Sequence, residues 1–425
     1  MDKLTALILD DMKPSLGVTE PGAIALATST AYSYVPGDVV SVDVAMNSGM
    51  YKNAFTCGIP NTTKVGAAYA AALGILVGRL ELGLESLRDI TESAVKVAEQ
   101  WIQAGKVKIR MTCVSPEIFI SAAVKTESGI AEVTIEHSHT NITRINCNGA
   151  CIYKKDVPPG AADRDEWIED YAFSQLIHYC RTVPVSELSF LDQAFAMNYA
   201  LLEKGLADPH TVIAHHLLEK NKGQQTSDNV LASAQLLASG AIEARVLGIS
   251  APAMSITGSG SHGIIAIMPL YAIYMAHKCS HEELLRASAL SILITQYIKS
   301  FSGKLSALCG CGVAAGSGAA CGIAMLYGAN EDQIAQTLSI MALGITGMIC
   351  DGGNHGCALK CAAAVDAAFR AVDFALSGAF ISPEHGICGL TPEETMQNIG
   401  HVANPGMLGT EKSILDILSE KEERT

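Results

Sequence analysis

The sequence predicts an α+β protein, with a mixed N-terminal half over residues 1–160 followed by an all-helical half over residues 161–425. Three observations point that way. Between Val39 and Asn146 several runs alternate apolar and polar residues with the two-residue period of a strand. From about Asp163 onward, long Ala-, Gly- and Leu-rich segments read as helices with few interruptions. Pro158-Pro159-Gly160 lies between the two patterns, and such a cluster breaks helix and strand alike.

The elements follow in order. Residues 24–34 form a small-residue helix stopped by Pro36-Gly37, and residues 39–45 alternate as a strand. Residues 63–84 and 87–104 are helical, the second amphipathic. Strands are expected at 107–113, 118–125, 131–136 and 142–146, with Ser128-Gly129 and Asn148-Gly149 as turns. Helices are then expected over 166–179, 185–204, 208–220, 228–247, 263–276, 281–299, 305–326, 331–349 and 357–379. There is no internal repeat.

Composition narrows the function. Of the 425 residues 49% are hydrophobic, 17% charged and 5% aromatic, so the helices must pack through small side chains. A net charge of -14 with no basic run argues against nucleic acid, although it does not forbid a local anion-binding pocket. Residues 246–276 and 305–329 contain no Asp, Glu, Lys or Arg and are long enough to span a bilayer. Pro252 and the polar run Ser255-Ile-Thr-Gly-Ser-Gly-Ser-His262 spoil the first as a lipid-facing helix, and the second has little Leu, Phe or Trp. Both read as buried helices, and no membrane partner is expected. The N-terminal apolar run is short, is broken by Asp10 and Asp11, and lacks the parts of a secretory signal. A cytoplasmic protein with reduced thiols is therefore expected, and thirteen cysteines cannot all pair. The apolar composition suggests a homodimer.

Six of those cysteines fall between Cys309 and Cys361. Cys350 and Cys357 bracket the loop Asp351-Gly-Gly-Asn-His-Gly356, which can wrap a metal group and aim backbone N–H groups at it. Thiolates are soft ligands for zinc or iron–sulfur clusters, and the spacing matches neither the zinc-finger nor the ferredoxin pattern. The alternative is burial in small-residue helices, which suits Cys321 and Cys361 best.

Five segments together resemble the L-cysteine desulfidase family, itself related to the iron–sulfur L-serine dehydratase alpha chain. They are Leu16-Gly-Val-Thr-Glu-Pro21, His139-Thr-Asn-Ile142, Gly258-Ser-Gly-Ser-His-Gly263, Leu305-Ser-Ala-Leu-Cys309 and Cys350-Asp-Gly-Gly-Asn-His-Gly-Cys-Ala-Leu-Lys360. The resemblance implies a [4Fe-4S] cluster on Cys309, Cys350 and Cys357 with one open iron, and no pyridoxal phosphate. Cys311 rivals Cys309, because serine dehydratases carry their first ligand in a Gly-Cys pair, and Cys361 rivals Cys357. It makes residues 161–425 the helical iron–sulfur catalytic domain and gives residues 1–160 the substrate-contacting loops. The implied reaction is elimination of sulfide or water from L-cysteine or L-serine to give pyruvate and ammonia. One departure stands out: the family reads Gly-Cys-Thr-Glu-Pro, with that cysteine proposed as base, and here the position is Val18. A lyase or epimerase acting on another small amino acid, or a non-catalytic cluster-based sensor, are the alternatives.

Candidate roles divide accordingly. His262, in a Gly/Ser loop opening a helix, is a replacement base or a hydrogen-bonding group, and Ser259 and Gly260 beside it suit a substrate carboxylate. Glu20 is a catalytic group orienting the substrate ammonium or an N-cap. His139, Thr140 and Asn141 orient substrate or satisfy a turn. Asn47, Lys52 and Asn53 follow a strand and are candidates to hold a carboxylate.

Overall fold

The structure, a computed structural model, describes residues 1–155 and 167–422, so the Pro158-Pro159-Gly160 junction lies outside the described residues. The fold is α+β, with a sheet-rich first half and a helical second half. Among the described residues there are eight strands: β1 (Lys13–Leu16), β2 (Val39–Met46), β3 (Val107–Met111), β4 (Phe119–Thr126), β5 (Gly129–Glu136), β6 (Ile142–Cys147), β7 (Ala150–Lys154) and β8 (Pro252–Ser255). Six of them form one sheet in the order β3-β2-β4-β5-β6-β7, antiparallel except for the β2–β3 pair.

Alternation places Val42 and Val44 of β2, Ile120, Ala122 and Val124 of β4, and Val133 and Ile135 of β5 in the core. The helix Thr19–Tyr34 packs on β4 and β5 and also against the helix Ala67–Val77. Small residues allow this double contact. A Cβ at Gly74 would lie 2.6 Å from the Ala25 Cα, so the two helices meet almost backbone to backbone.

In the second half, the helix His281–Ser302 starts with a capping box between Ser280 and Glu283 and lies nearly wholly inside. It packs on the helices Gly260–Met275 and Gly316–Leu326. A Cβ at Gly318 would lie 2.3 Å from the Ser291 carbonyl oxygen, which accounts for the small-residue composition there. Among the described residues no helix is long and apolar enough to cross a membrane.

Several features depart from the sequence reading, among them the edge strand β7 and the helix Ser48–Ala54, which were not expected. The expected helix over 305–326 does not begin at 305: Leu308 forms a β-bridge with Ile349, a π-turn spans Cys311–Ala315, and the α-helix starts at Gly316. Short strands β1 and β8 pair antiparallel, Lys13 opposite Ser255 through Leu16 opposite Pro252, and so join the two halves. The terminal helices Lys3–Asp11, Pro392–His401 and Leu408–Glu422 were not foreseen, being short or rich in charge.

Candidate active site

The Leu308–Ile349 bridge sets the two thiol-bearing segments side by side. Cys309 N–H donates to the Met348 carbonyl at 2.9 Å, and Cys350 N–H to the Ala307 carbonyl at 2.6 Å. Side chains alternate across such a pair, which directs Cys309 and Cys350 to one face. Each of the three expected ligand positions also has a backbone donor. The Gly312 N–H lies 3.4 Å from the Cys309 Sγ, while Gly352 and Asn354 offer theirs to Cys350 and Cys357. Gly352 has φ +114, and a Cβ there would stand 2.6 Å from the Lys52 carbonyl oxygen, so the loop is pressed against the end of the helix Ser48–Ala54.

A hydrogen bond with Cys311, together with burial, pushes the Cys309 thiol well up. Burial raises Cys350 against the opposing charge of Lys52, and raises Cys357 to about 12. Lys360, paired with Asp351, adds a second cation near these thiols. Buried thiols with backbone donors and nearby lysines form a donor set that fits a soft metal group, whose binding displaces the thiol protons. The described residues bring no three His, Cys, Asp or Glu side chains close enough to hold a single metal ion. The fit therefore rests on the thiols and their donors. Cys321 and Cys361 are fully buried in helices.

Cys311 and Cys350 line a cavity of about 370 Å³ that is also walled by Glu20, Asn53, His139, Thr140, Ser259, His262 and Lys299. A larger cleft of about 950 Å³ touches Asn354 and His355 of the same loop, but it contains no thiol and its Lys64 and Glu99 pair with each other. The smaller cavity is therefore the candidate site.

Glu20 sits in the first turn of its helix, where the N-cap is Val18 and makes no side-chain cap bond. The N-cap reading of Glu20 is thus corrected: its carboxylate faces inward, accepting from Asn53 Nδ2 at 2.7 Å and Thr19 Oγ1 at 3.1 Å, with His139 Nε2 at 3.7 Å. Burial would raise its pKa, but the His139 imidazole, the Asn53 amide and the Arg245 charge outweigh burial and bring it to about 2. Glu20 is a fixed anion.

His262 is held by a strained turn. Thr257 has φ +50, unusual for a β-branched residue, and is locked by its N–H to Asp11 Oδ2 at 2.8 Å. Its hydroxyl donates to the Ile256 carbonyl and therefore accepts from His262 Nδ1–H at 2.5 Å. That fixes the tautomer and leaves Nε2 with its lone pair. Nε2 lies 2.7 Å from where a Cβ would stand at Gly310, so this glycine makes room for the ring. Burial, then the charges of Lys299 and Arg245, hold the imidazole at about 3, hence neutral at ordinary pH. Burial likewise lowers Lys299 to about 8.

Not every expected residue arrives. Asn47 spends its side chain on the Ser115 carbonyl and the Phe119 N–H. Lys52 holds the Glu411 carboxylate at 2.6 Å rather than a ligand. Asn141 closes its turn, donating to the Glu136 carbonyl and accepting from Lys155. Gly260 opens its helix against Arg245, where a Cβ would meet Nε at 2.7 Å. Lys299, Thr257 and Asp11 went unnoticed. Lys299 could have been found, because it continues the buried stripe Ile292, Thr295, Gln296 at helical spacing.

The cavity joins two thiols, Cys311 and Cys350, to a fixed carboxylate and a buried neutral imidazole, which makes it the candidate active site. The chain belongs to the serine dehydratase alpha chain family, whose model matches residues 81–416. That family is iron–sulfur associated, and membership supports a lyase-type enzyme. The chain is 38% identical over 421 residues to a UPF0597 protein of Clostridium botulinum (strain Langeland), covering 97% of each chain. It is 35% identical to one of Caldanaerobacter subterraneus subsp. tengcongensis, covering 99% of this chain and 98% of the relative, and 34% identical to one of Desulfatibacillum aliphaticivorans, covering 96% of each.

Proposed function

We propose that this chain is a [4Fe-4S]-dependent lyase that eliminates water from L-serine or sulfide from L-cysteine. The observation that carries the reading is that Cys311 and Cys350 share one cavity with Glu20, His139 and His262, with Cys309 brought beside Cys350 by the Leu308–Ile349 bridge. Cys309, Cys350 and Cys357 would hold the cluster, which when bound supplies a Lewis acid for the leaving hydroxyl or thiol. Glu20, ionised and steadied by Asn53 and His139, receives the substrate ammonium. His262 Nε2, presented as a lone pair, takes the Cα proton as the Cβ–O or Cβ–S bond breaks. The aminoacrylate so formed tautomerises to an imine and hydrolyses to pyruvate and ammonia.

Val18 favours a base other than a residue-18 thiol. It is buried, and its Cγ atoms lie 3.2 and 3.3 Å from the Cβ position at Gly353. The same cavity would serve an epimerase if, after His262 removed the Cα proton, a second acid supplied a proton to the opposite face and the Cβ substituent stayed in place. Anaerobic purification with iron and sulfide analysis, followed by assay of pyruvate from L-serine and L-cysteine, separates these readings. Four irons per chain with pyruvate formation are expected, and Cys350→Ala and Cys357→Ala should lose both. Full turnover in either variant refutes the proposal, and racemised substrate without pyruvate favours the epimerase.

A further inference from the structure

Two lysines are buried among the described residues, Lys52 and Lys299. They differ in one respect that matters. Lys52 has a carboxylate counter-ion, Glu411. Lys299, 8% exposed, has none within ion-pair distance among the described residues. Its ammonium donates to the Gly303 carbonyl at 2.8 Å and the Lys304 carbonyl at 3.4 Å, both in the turn just after its own helix. Two carbonyls occupy two of three donors and cancel no charge. A buried ammonium without an anion is costly, so such a group normally has a partner that the bare chain does not supply.

The position of Lys299 says where that partner comes from. Its side chain lines the thiol cavity, and its Cδ would stand 3.4 Å from a Cβ at Gly310, the same point that His262 Nε2 approaches to 2.7 Å. Lys299 and His262 thus flank one spot on the cavity wall. The cavity's other buried charged side chain is the Glu20 carboxylate. A cavity with one buried anion and one unpaired buried cation matches a zwitterion.

We propose that Lys299 is the substrate-carboxylate anchor of this cavity, pairing with the α-carboxylate while Glu20 takes the α-ammonium. This rests on the amino-acid reading above only for the identity of the acid. The competing role for Lys299 is to balance thiolate charge at Cys311 and its neighbours, with no contact to substrate.

The test uses the anaerobically prepared holoprotein and its Lys299→Gln, Lys299→Met and Lys299→Arg variants. Binding of L-serine, L-serine methyl ester and acetate is followed by calorimetry, alongside iron and sulfide content and the visible spectrum. Charge-assisted hydrogen bonds of this kind set the expected loss at about 10–100-fold in L-serine affinity for the Gln and Met variants. Cluster content should be unchanged, and Arg should restore part of the affinity. The ester, lacking the carboxylate, should bind wild type weakly and the variants equally. Wild type alone also tests the idea through the acid–ester difference, should a variant fail to fold. Unaltered L-serine affinity in a cluster-loaded Gln variant overturns the proposal, and so does loss of iron and sulfide in all three. If wild type does not bind L-serine, the L-serine form of the lyase reading fails, yet acetate binding that is lost in the Gln variant still supports the anchor. No acetate binding in that case overturns it.

Discussion

Replacing Glu411 by Gln should loosen the C-terminal helix and, through it, the segment that carries Cys309. Glu411 lies 2.6 Å from Lys52 Nζ, with side chains 5% and 1% exposed, and Lys52 also donates to the Ser306 carbonyl at 3.2 Å. One ammonium therefore joins the helix Leu408–Glu422 to a residue three positions before the first thiol. Removing one partner of such a buried pair costs about 3–5 kcal/mol, because the remaining charge is left uncompensated. With an unfolding entropy of about 2.1 cal/mol/K per residue, this amounts to a Tm lower by about 3–6 °C for a chain of this length. The helix buries only Glu411 and three apolar residues, Ile414, Leu415 and Leu418, so the opening should be local first. Hydrogen-exchange mass spectrometry should show faster exchange over residues 408–422 and 305–309, with a smaller change in the sheet. The double variant Lys52→Met/Glu411→Leu removes both charges and should recover most of the loss. A Glu411→Gln protein with Tm within 1 °C of wild type and unchanged exchange would refute the reasoning.

Other outcomes follow from single distances and charges. Glu20, with its carboxyl at about 2 instead of 4.5, contributes stability that is full above about pH 4.5 and fades as pH falls toward 2. Urea unfolding of the metal-free protein should show about 2 kcal/mol lost to this group between pH 6 and pH 3, a loss that Glu20→Gln lacks; parallel pH curves for the two would contradict the assignment. Gly310→Ala puts a methyl 2.7 Å from His262 Nε2 and 3.4 Å from Lys299 Cδ. Overpacking of about 1–3 kcal/mol should displace the ring and cut kcat by tenfold or more while iron content holds, and an unaffected kcat would show that His262 Nε2 is not used.

Much of the fold was legible because it rests on periodicity. Strands β2, β4, β5 and β6 alternate cleanly, and each was placed to within two residues of its ends. The helices in small-residue runs were also evident in kind. What escaped was structure set by tertiary contact. Residues 305–310 have helical composition but are drawn into a bridge by Ile349, and β1 and β8 gain their partners only when the halves meet. The site divides the same way. Thiols, Glu20, His139 and His262 carry chemistry in their side chains and stood out as motifs. Asn47 and Lys52 looked like anion binders because their partners, Ser115 and Glu411, are 68 and 359 positions away. Lys299 differs: its place on the buried stripe Ile292, Thr295, Gln296 was readable from the sequence, but its lack of a counter-ion became visible only in the structure.

The two halves each hold an incomplete site. Val18, Glu20, Asn53 and His139 come from the first half, while Ser259, His262, Lys299 and the thiols come from the second. Among the connections that hold them in register are the β1–β8 pair, the Asp11 bonds to Thr257 and Gln296, and the Lys52–Glu411 ion pair. Two of these touch the site directly, since Asp11 fixes the turn that orients His262 and Lys52 reaches the loop before Cys309. Assembly of the thiol segments and docking of the halves are therefore one process. A metal group binding the thiols would stabilise the docked state by mass action, with no contact of its own to the first half. Conversely, a substitution at the seam, far from any thiol, should weaken metal retention in proportion to the docking free energy it removes. The stability of this fold and the loading of its site are coupled quantities.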